Sequence, residues 1–192
     1  MSVPVVLITG ATDGLGRALA HDLSGRGLEV LVHGRDDERL RATVASLRES
    51  TGAERVGAYR ADLAELAQVH DLADRVAAEH PRLHVLVNNA GVGADVPGGG
   101  ERQESVDGHE LRFAVNYLAG HVLARRLLPA LRAAGEEGEH GPGRIVMVSS
   151  AGQAPIDFDD PMLRHGYSGW RAYCQNKLAQ ILDAHPGIRV EV

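Results

Sequence analysis

Lysine is nearly missing from this chain. Of 20 lysines and arginines, only Lys177 is a lysine. Arginine serves wherever a generic surface cation is needed. A lysine that persists can mark a place where a compact ammonium differs from a planar guanidinium fork. Taken alone it is a compositional oddity, so its surroundings, Tyr173-Cys174-Gln175-Asn176-Lys177, must decide. Cysteine is equally scarce. One thiol, Cys174, excludes an internal disulfide and fits a reducing cytoplasm. Net charge is −6 with no basic block, which argues against nucleic acid or an anionic membrane as partner. No apolar run approaches a membrane span, and the N-terminus lacks a charged-then-apolar signal. The 10 histidines are scattered without the spacing of a metal site, so no metal is expected.

What is present reads as one globular domain: 192 residues, 44% hydrophobic and 24% charged. Short apolar runs at 3–8, 29–33, 56–60, 85–88 and 144–149 lack polar alternation. Parallel strands covered on both faces have that pattern. Between them, 15–26, 36–50, 66–79 and 106–134 carry apolar residues at helical spacing. Strand-helix alternation of this kind predicts an α/β doubly wound parallel sheet with right-handed crossovers. Gly98-Gly99-Gly100 and residues 135–143 read as polar, glycine-rich loops.

The first strand runs into Thr9-Gly10-Ala11-Thr12-Asp13-Gly14-Leu15-Gly16, and a helix follows. Glycines permit a tight turn and close approach of a pyrophosphate, which the helix N-terminus then receives. Any tight strand-helix turn also favours glycine. The second strand ends at His33-Gly34-Arg35-Asp36, roughly 20 residues past the glycines, where an adenosine ribose would lie. Arg35 suits a 2′-phosphate, so NADP(H) is preferred, with NAD(H) the alternative. Asp36 reads as the cap of the next helix.

Five motifs in order then resemble the short-chain dehydrogenase/reductases. Thr9–Gly16 is similar to that family's Thr-Gly-x3-Gly-x-Gly. Asn88-Asn89-Ala90-Gly91 is similar to its Asn-Asn-Ala-Gly. Asn116 falls at its mid-helix asparagine, Ser149-Ser150 follows strand five, and Tyr173-x3-Lys177 resembles its signature pair. The resemblance implies a single-domain Rossmann fold. It implies a cofactor held by Thr9, Gly10, Thr12, Asp13, Gly14, Leu15, Gly16, Arg35, Asp62, Leu63, Asn89, Ala90, Gly91, Tyr173 and Lys177. The stretch from Ile156-Asp157-Phe158-Asp159-Asp160 to Tyr173 is similar to the retinol-dehydrogenase-like branch. Asn176 departs from the family, which usually has serine there.

The implied reaction interconverts a carbonyl and an alcohol. A free phenol has a pKa of about 10, so Tyr173 needs a nearby positive charge to act near neutrality. Lys177, one helical turn on, lies on the same face. In the family the lysine also binds the nicotinamide ribose, Ser150 donates to the substrate oxygen, and Asn116 holds a relay water. Ile156, Phe158, Met162, Leu163 and Trp170 point to an apolar small-molecule substrate or else to core. Cys174 reads as a packing thiol. Copies of the family pair through the helices that correspond to 106–134 and 171–184.

The C-terminal stretch leaves two readings open. Either Pro186-Gly187 is an ordinary turn and 188–192 is strand six, or strand six is absent. In both, the family's substrate loop, last helix and last strand are not expected within these 192 residues. Lid closure completes many active sites. A nucleotide-binding or regulatory protein without turnover is therefore the rival reading.

Overall fold

Val5, Val6, Leu7 and Ile8 are all buried, so both faces of the first strand are covered. A strand in the middle of a two-sided sheet has that pattern. In the computed structural model, the described residues are 3–52, 54–93, 100–136, 140–183 and 189–191. Their strands are β1 Val5–Ile8, β2 Glu29–Gly34, β3 Val56–Arg60, β4 Val85–Asn88, β5 Arg144–Met147 and β6 Arg189–Glu191. All pair in parallel, in the order β3-β2-β1-β4-β5-β6. Val6 lies between Val30 and Val85, so the order reverses at β1 and β4. A ligand crevice forms at the carboxyl ends of strands where such a sheet reverses.

The helices are α1 Gly14–Gly25, α2 Asp37–Thr51, α3 Leu66–Glu79, α4 Ala119–Glu136 and α5 Gly169–Leu182. Alternate strand residues feed two cores. Val6, Ile8, Val30, Val32 and Val87 meet Ala20 of α1 and Leu40 and Leu47 of α2. On the other face Leu7, Leu31, Leu86 and Ile145 meet Val69, Leu72 and Val76 of α3 and Leu123, Leu127 and Leu131 of α4. Asp36 caps α2 as expected, accepting from the Arg39 N–H at 2.9 Å. Among the described residues no helix is long and apolar enough to cross a membrane. Nor does any group of three or more histidine, cysteine, aspartate or glutamate side chains offer a metal site there.

Two helix starts need correction, and the open choice at the C-terminal stretch is settled. The helix expected from Val106 begins at residue 111. Gly108 has φ +78°, Glu104 bridges Glu110 antiparallel, and Val106 is exposed. Apolar spacing alone cannot reveal that left-handed turn. Phe113–Leu118 then winds as a π-helix before α4 begins. At the other end, β6 pairs with β5 through Arg144↔Arg189, which selects the reading with a sixth strand. The helix expected over 171–184 begins at Gly169 instead, where Ser168 accepts from the Arg171 N–H. Gly98 and Gly99, residues 137–139, residues 184–188 and Val192 lie outside the described residues.

His33, at the end of β2, ties three segments together. Its Nδ1 accepts from the Gly10 N–H at 3.2 Å, and its Nε2 donates to the Ala61 carbonyl at 3.1 Å. Burial pushes its pKa down to about 4. Only the neutral ring can accept from Gly10 while donating to Ala61.

Leu123→Ala empties a fully buried site in α4 and is expected to cost about 3 kcal/mol in urea unfolding. Leu182→Ala, at an exposed position, is expected to change stability by less than about 0.5 kcal/mol. His33 is neutral in the folded chain and protonates below about 6.5 in the unfolded chain. Its contribution is therefore complete above pH 6.5 and is lost as pH falls toward about 4. Between those limits wild type is expected to lose up to about 3 kcal/mol more than His33→Gln, measured as urea midpoints across pH.

Candidate functional site

The turn after β1 is shaped by what lies behind it. Gly10 has φ +65°, and a Cβ there would stand 2.9 Å from the Ala90 Cα. A Cβ on Gly16 would collide with the Asn89 amide and the Gly10 carbonyl. Asn89 donates from Nδ2 to the carbonyls of Thr9 at 2.9 Å and Gly10 at 3.2 Å. The Thr9 hydroxyl donates to the Val87 carbonyl and accepts from the N–H groups of Asn89 and Ala90. Thr9 is buried and its hydroxyl is committed to the end of β4. It shapes the turn instead of lining the space in front of it.

That space is a cleft of about 480 Å³ at the carboxyl ends of β1, β2 and β4. Of the expected cofactor residues, Gly10, Thr12, Asp13, Gly14, Arg35, Asp62, Leu63, Asn89, Ala90 and Gly91 line it. His33, Gly34, Ala61, Ala64, Val92, Leu111 and Val115 join them. Thr9, Leu15, Gly16, Tyr173 and Lys177 are not among its lining residues. Leu15 points outward from the first turn of α1 and is 64% exposed.

Three polar groups set the character of the cleft. Arg35 is exposed, and its guanidinium has no hydrogen-bond or ion-pair partner among the described residues. Asp13 accepts from Arg39 at 2.6 Å and from the Gly14 N–H at 2.8 Å. The Arg39 hydrogen bond, aided by the Gly14 N–H, holds its carboxyl below the usual range. Asp62 accepts from the Ala64 N–H through one oxygen only. An exposed cation, a glycine turn at a helix start and a half-used carboxylate suit a phosphorylated nucleoside ligand.

The second half of the site lies on α5. Tyr173, Asn176, Lys177 and Gln180 recur at helical spacing and share one face. Lys177 donates from Nζ to the Val148 carbonyl at 2.6 Å, and its own carbonyl accepts from the Ser149 hydroxyl at 2.8 Å. Its Nζ stands 5.6 Å from the centroid of the Tyr173 ring. Burial pulls the ammonium pKa down to about 8. Trp170 stacks on Tyr173 with centroids 6.0 Å apart. Among the described residues nothing hydrogen-bonds to the Tyr173 hydroxyl. Ser150 accepts from the Gly152 N–H at 3.1 Å and lines a separate depression with Val146, Val148 and Ile181. Cys174 is buried and burial raises its thiol pKa, so it packs and does not react.

Asn116 stands in the π-helical turn with its amide already occupied. It accepts from the Val92 N–H at 2.7 Å and donates to the Val92 carbonyl at 3.1 Å. Its backbone carbonyl accepts from Gln180 Nε2 at 2.7 Å. The expected polar partner of a buried asparagine is therefore the strand-four exit loop.

The segment before α5 is knit by carboxylates. Asp157 accepts from the N–H groups of Asp159 and Asp160, and Asp160 from those of Arg164 and His165. Tyr167 donates to buried Glu110 at 3.0 Å and accepts from buried Arg112 at 2.6 Å. Burial and then Glu110 push the Tyr167 phenol up to about 12. Arg112 also reaches the Gly93 carbonyl. Of the apolar residues considered for substrate, Leu163 is core, while Phe158 and Trp170 are exposed.

Sequence reasoning passed over His33, Val92, Glu110, Arg112 and Gln180. Gln180 had a usable signal, standing seven residues after Tyr173 on the same helical face. Glu110 and Arg112 had none, because their partner Tyr167 is more than fifty residues away.

The sequence matches the short chain dehydrogenase family over residues 4–158. It is 42% identical over 182 residues to a polyprenol dehydrogenase of Mus musculus, covering 94% of this chain and 52% of that protein. It is 35% identical over 180 residues to retinol dehydrogenase 13 of Homo sapiens, covering 92% of this chain and 51% of that protein. A short-chain dehydrogenase from Sphingobium yanoikuyae, solved in complex with NADPH, superposes with a TM-score of 0.72 at 30% identity. That superposition covers 94% of this chain and 62% of the other. The chain thus spans about half the length of the relatives it matches. On its parallel sheet, its glycine turn and these likenesses, it belongs to the short-chain dehydrogenase/reductase family, in the retinol-dehydrogenase-like branch.

Proposed function

We propose that this chain is an NADP(H)-dependent oxidoreductase that interconverts a carbonyl and an alcohol, with Tyr173 as general acid or base. The observation that carries the reading is the buried Lys177 ammonium beside the Tyr173 ring, one turn along the same helix. A positive charge in a desolvated place stabilises phenolate and makes the phenolic proton available near neutrality. When bound, the nicotinamide supplies a hydride to the carbonyl carbon or takes one from the alcohol.

The chain's own residues have separable tasks. Gly10, Gly14 and the start of α1 receive the pyrophosphate, and Arg35 receives a 2′-phosphate. Asp62 offers its unused oxygen to the adenine. Ser150 is the donor to the substrate oxygen, in the manner of an oxyanion site. Asn116 fixes Val92 at the inner end of the cleft. Exposed Trp170 against the Tyr173 ring and exposed Phe158 in the segment before α5 support an apolar substrate, as do relatives named for polyprenol and retinol. The single buried thiol, Cys174, supports a cytoplasmic setting.

One observation favours a second reading, a nucleotide-binding protein without turnover. No hydrogen bond joins Tyr173, Ser150 and Lys177 among the described residues. Titration with NADPH followed by a carbonyl panel separates the two, since binding without product supports the second.

Tyr173→Phe is expected to lower kcat by at least about a thousandfold while leaving the NADPH Kd within about twofold. Arg35→Ala is expected to weaken NADPH about tenfold or more and NADH hardly at all, by fluorescence titration. For carbonyl reduction, kcat/KM is expected to fall as pH rises through about 8, where Lys177 loses its charge. In Lys177→Arg the residual activity is expected to lose that limb, because guanidinium stays charged.

A further inference from the structure

Two buried side-chain atoms on the Tyr173 face of α5 have no hydrogen-bond partner among the described residues: Asn176 Nδ2 and Gln180 Oε1. Each residue is 1% exposed. They stand four apart, so their side chains are neighbours on the helix surface. One atom is a donor and the other an acceptor. Buried polar groups in native proteins are almost always satisfied, and a bridging water needs such convergent partners. The other end of Gln180 is engaged, donating to the Asn116 carbonyl at 2.7 Å. Asn116 in turn holds Val92, which lines the nucleotide cleft.

We infer that Gln180 is a positioning residue: it fastens the Tyr173–Lys177 helix to the cleft through Asn116 and Val92, and encloses one water with Asn176. The inference deepens the proposed reaction and rests on it for its kinetic part. The sheet sets the place of the cleft, and α5 sets the place of Tyr173 and Lys177. The Gln180–Asn116–Val92 chain is a direct polar link between these two bodies. A π-helical turn at this point agrees with that task, because such bulges gather at functional sites. Asn116 has both ends of its amide on Val92 and its backbone carbonyl on Gln180, so one residue carries the whole link.

The test compares the full chain with Gln180→Leu, which keeps the bulk, and Gln180→Glu, which keeps an acceptor and, once ionised at high pH, has no proton to donate to the Asn116 carbonyl. Amide hydrogen exchange is read first. Both variants are expected to lose at least about tenfold protection at the Val92 N–H, with β1 and β2 amides unchanged. In turnover, kcat is expected to fall about tenfold or more, with NADPH Kd within about twofold and KM little altered. A high-resolution crystal structure of the wild type is expected to show one water between Asn176 Nδ2 and Gln180 Oε1. Uniform loss of protection across the sheet, unchanged Val92 exchange, or a dry gap between the two amides overturns the inference. A wild type that binds NADPH but reduces no carbonyl overturns the assigned reaction alone, and exchange and crystallography still decide the role of Gln180.

Discussion

The Asn89 side chain holds the glycine turn after β1 against the end of β4, and the cleft exists because of it. Its two donations to Thr9 and Gly10 fix the turn, and the Thr9 hydroxyl returns three hydrogen bonds, one to β4 at Val87 and two to Asn89 and Ala90 just past it. These groups are only partly buried apart from Thr9, so losing one partner would cost up to about 1–3 kcal/mol, less where water reaches the group left behind. The close approach also dictates composition. Only glycine fits at Gly16, because Asn89 occupies the room a side chain would need. The family motif can be read as the trace of that contact: a small turn on one strand and an amide on the other.

The same economy governs the second half of the site. Lys177 spends its ammonium on the Val148 carbonyl and holds Ser149 through its backbone. It therefore docks α5 on β5 before any ligand arrives. Arginine would place a wider, planar group there, which explains why the chain keeps a lysine at this one position. Asp183, at the end of α5, meets His121 of α4 at 2.9 Å and closes the helix pair below. Tyr173 has Trp170 over its ring and, among the described residues, no hydrogen bond at its hydroxyl, which leaves it free for the proposed role of proton donor.

Much of this was legible in the sequence, for local reasons. Unalternating apolar runs announce buried parallel strands, and β1 to β5 fall where those runs lie. Arg35 and Asp62 were expected at strand ends, and both line the cleft there. What was not legible depends on distant partners or backbone signs. Val106 looked helical by spacing, but the left-handed Gly108 bends the chain away. Thr9 looked like a cofactor contact, but its hydroxyl is committed to residues about eighty positions away. Asn116 was recognisable as a buried asparagine in need of a partner, while the identity of that partner, Val92, required the fold.

In the proposed reaction, Tyr173 and Lys177 complete a hydride-transfer site on the cleft shaped by Asn89. The most direct measurement uses NADPH carrying two deuterons at nicotinamide C4, incubated with the chain and an apolar ketone. Mass spectrometry of the alcohol product is predicted to find one deuterium on the carbinol carbon. NADPH bound at saturation with no deuterated alcohol formed would contradict the claim.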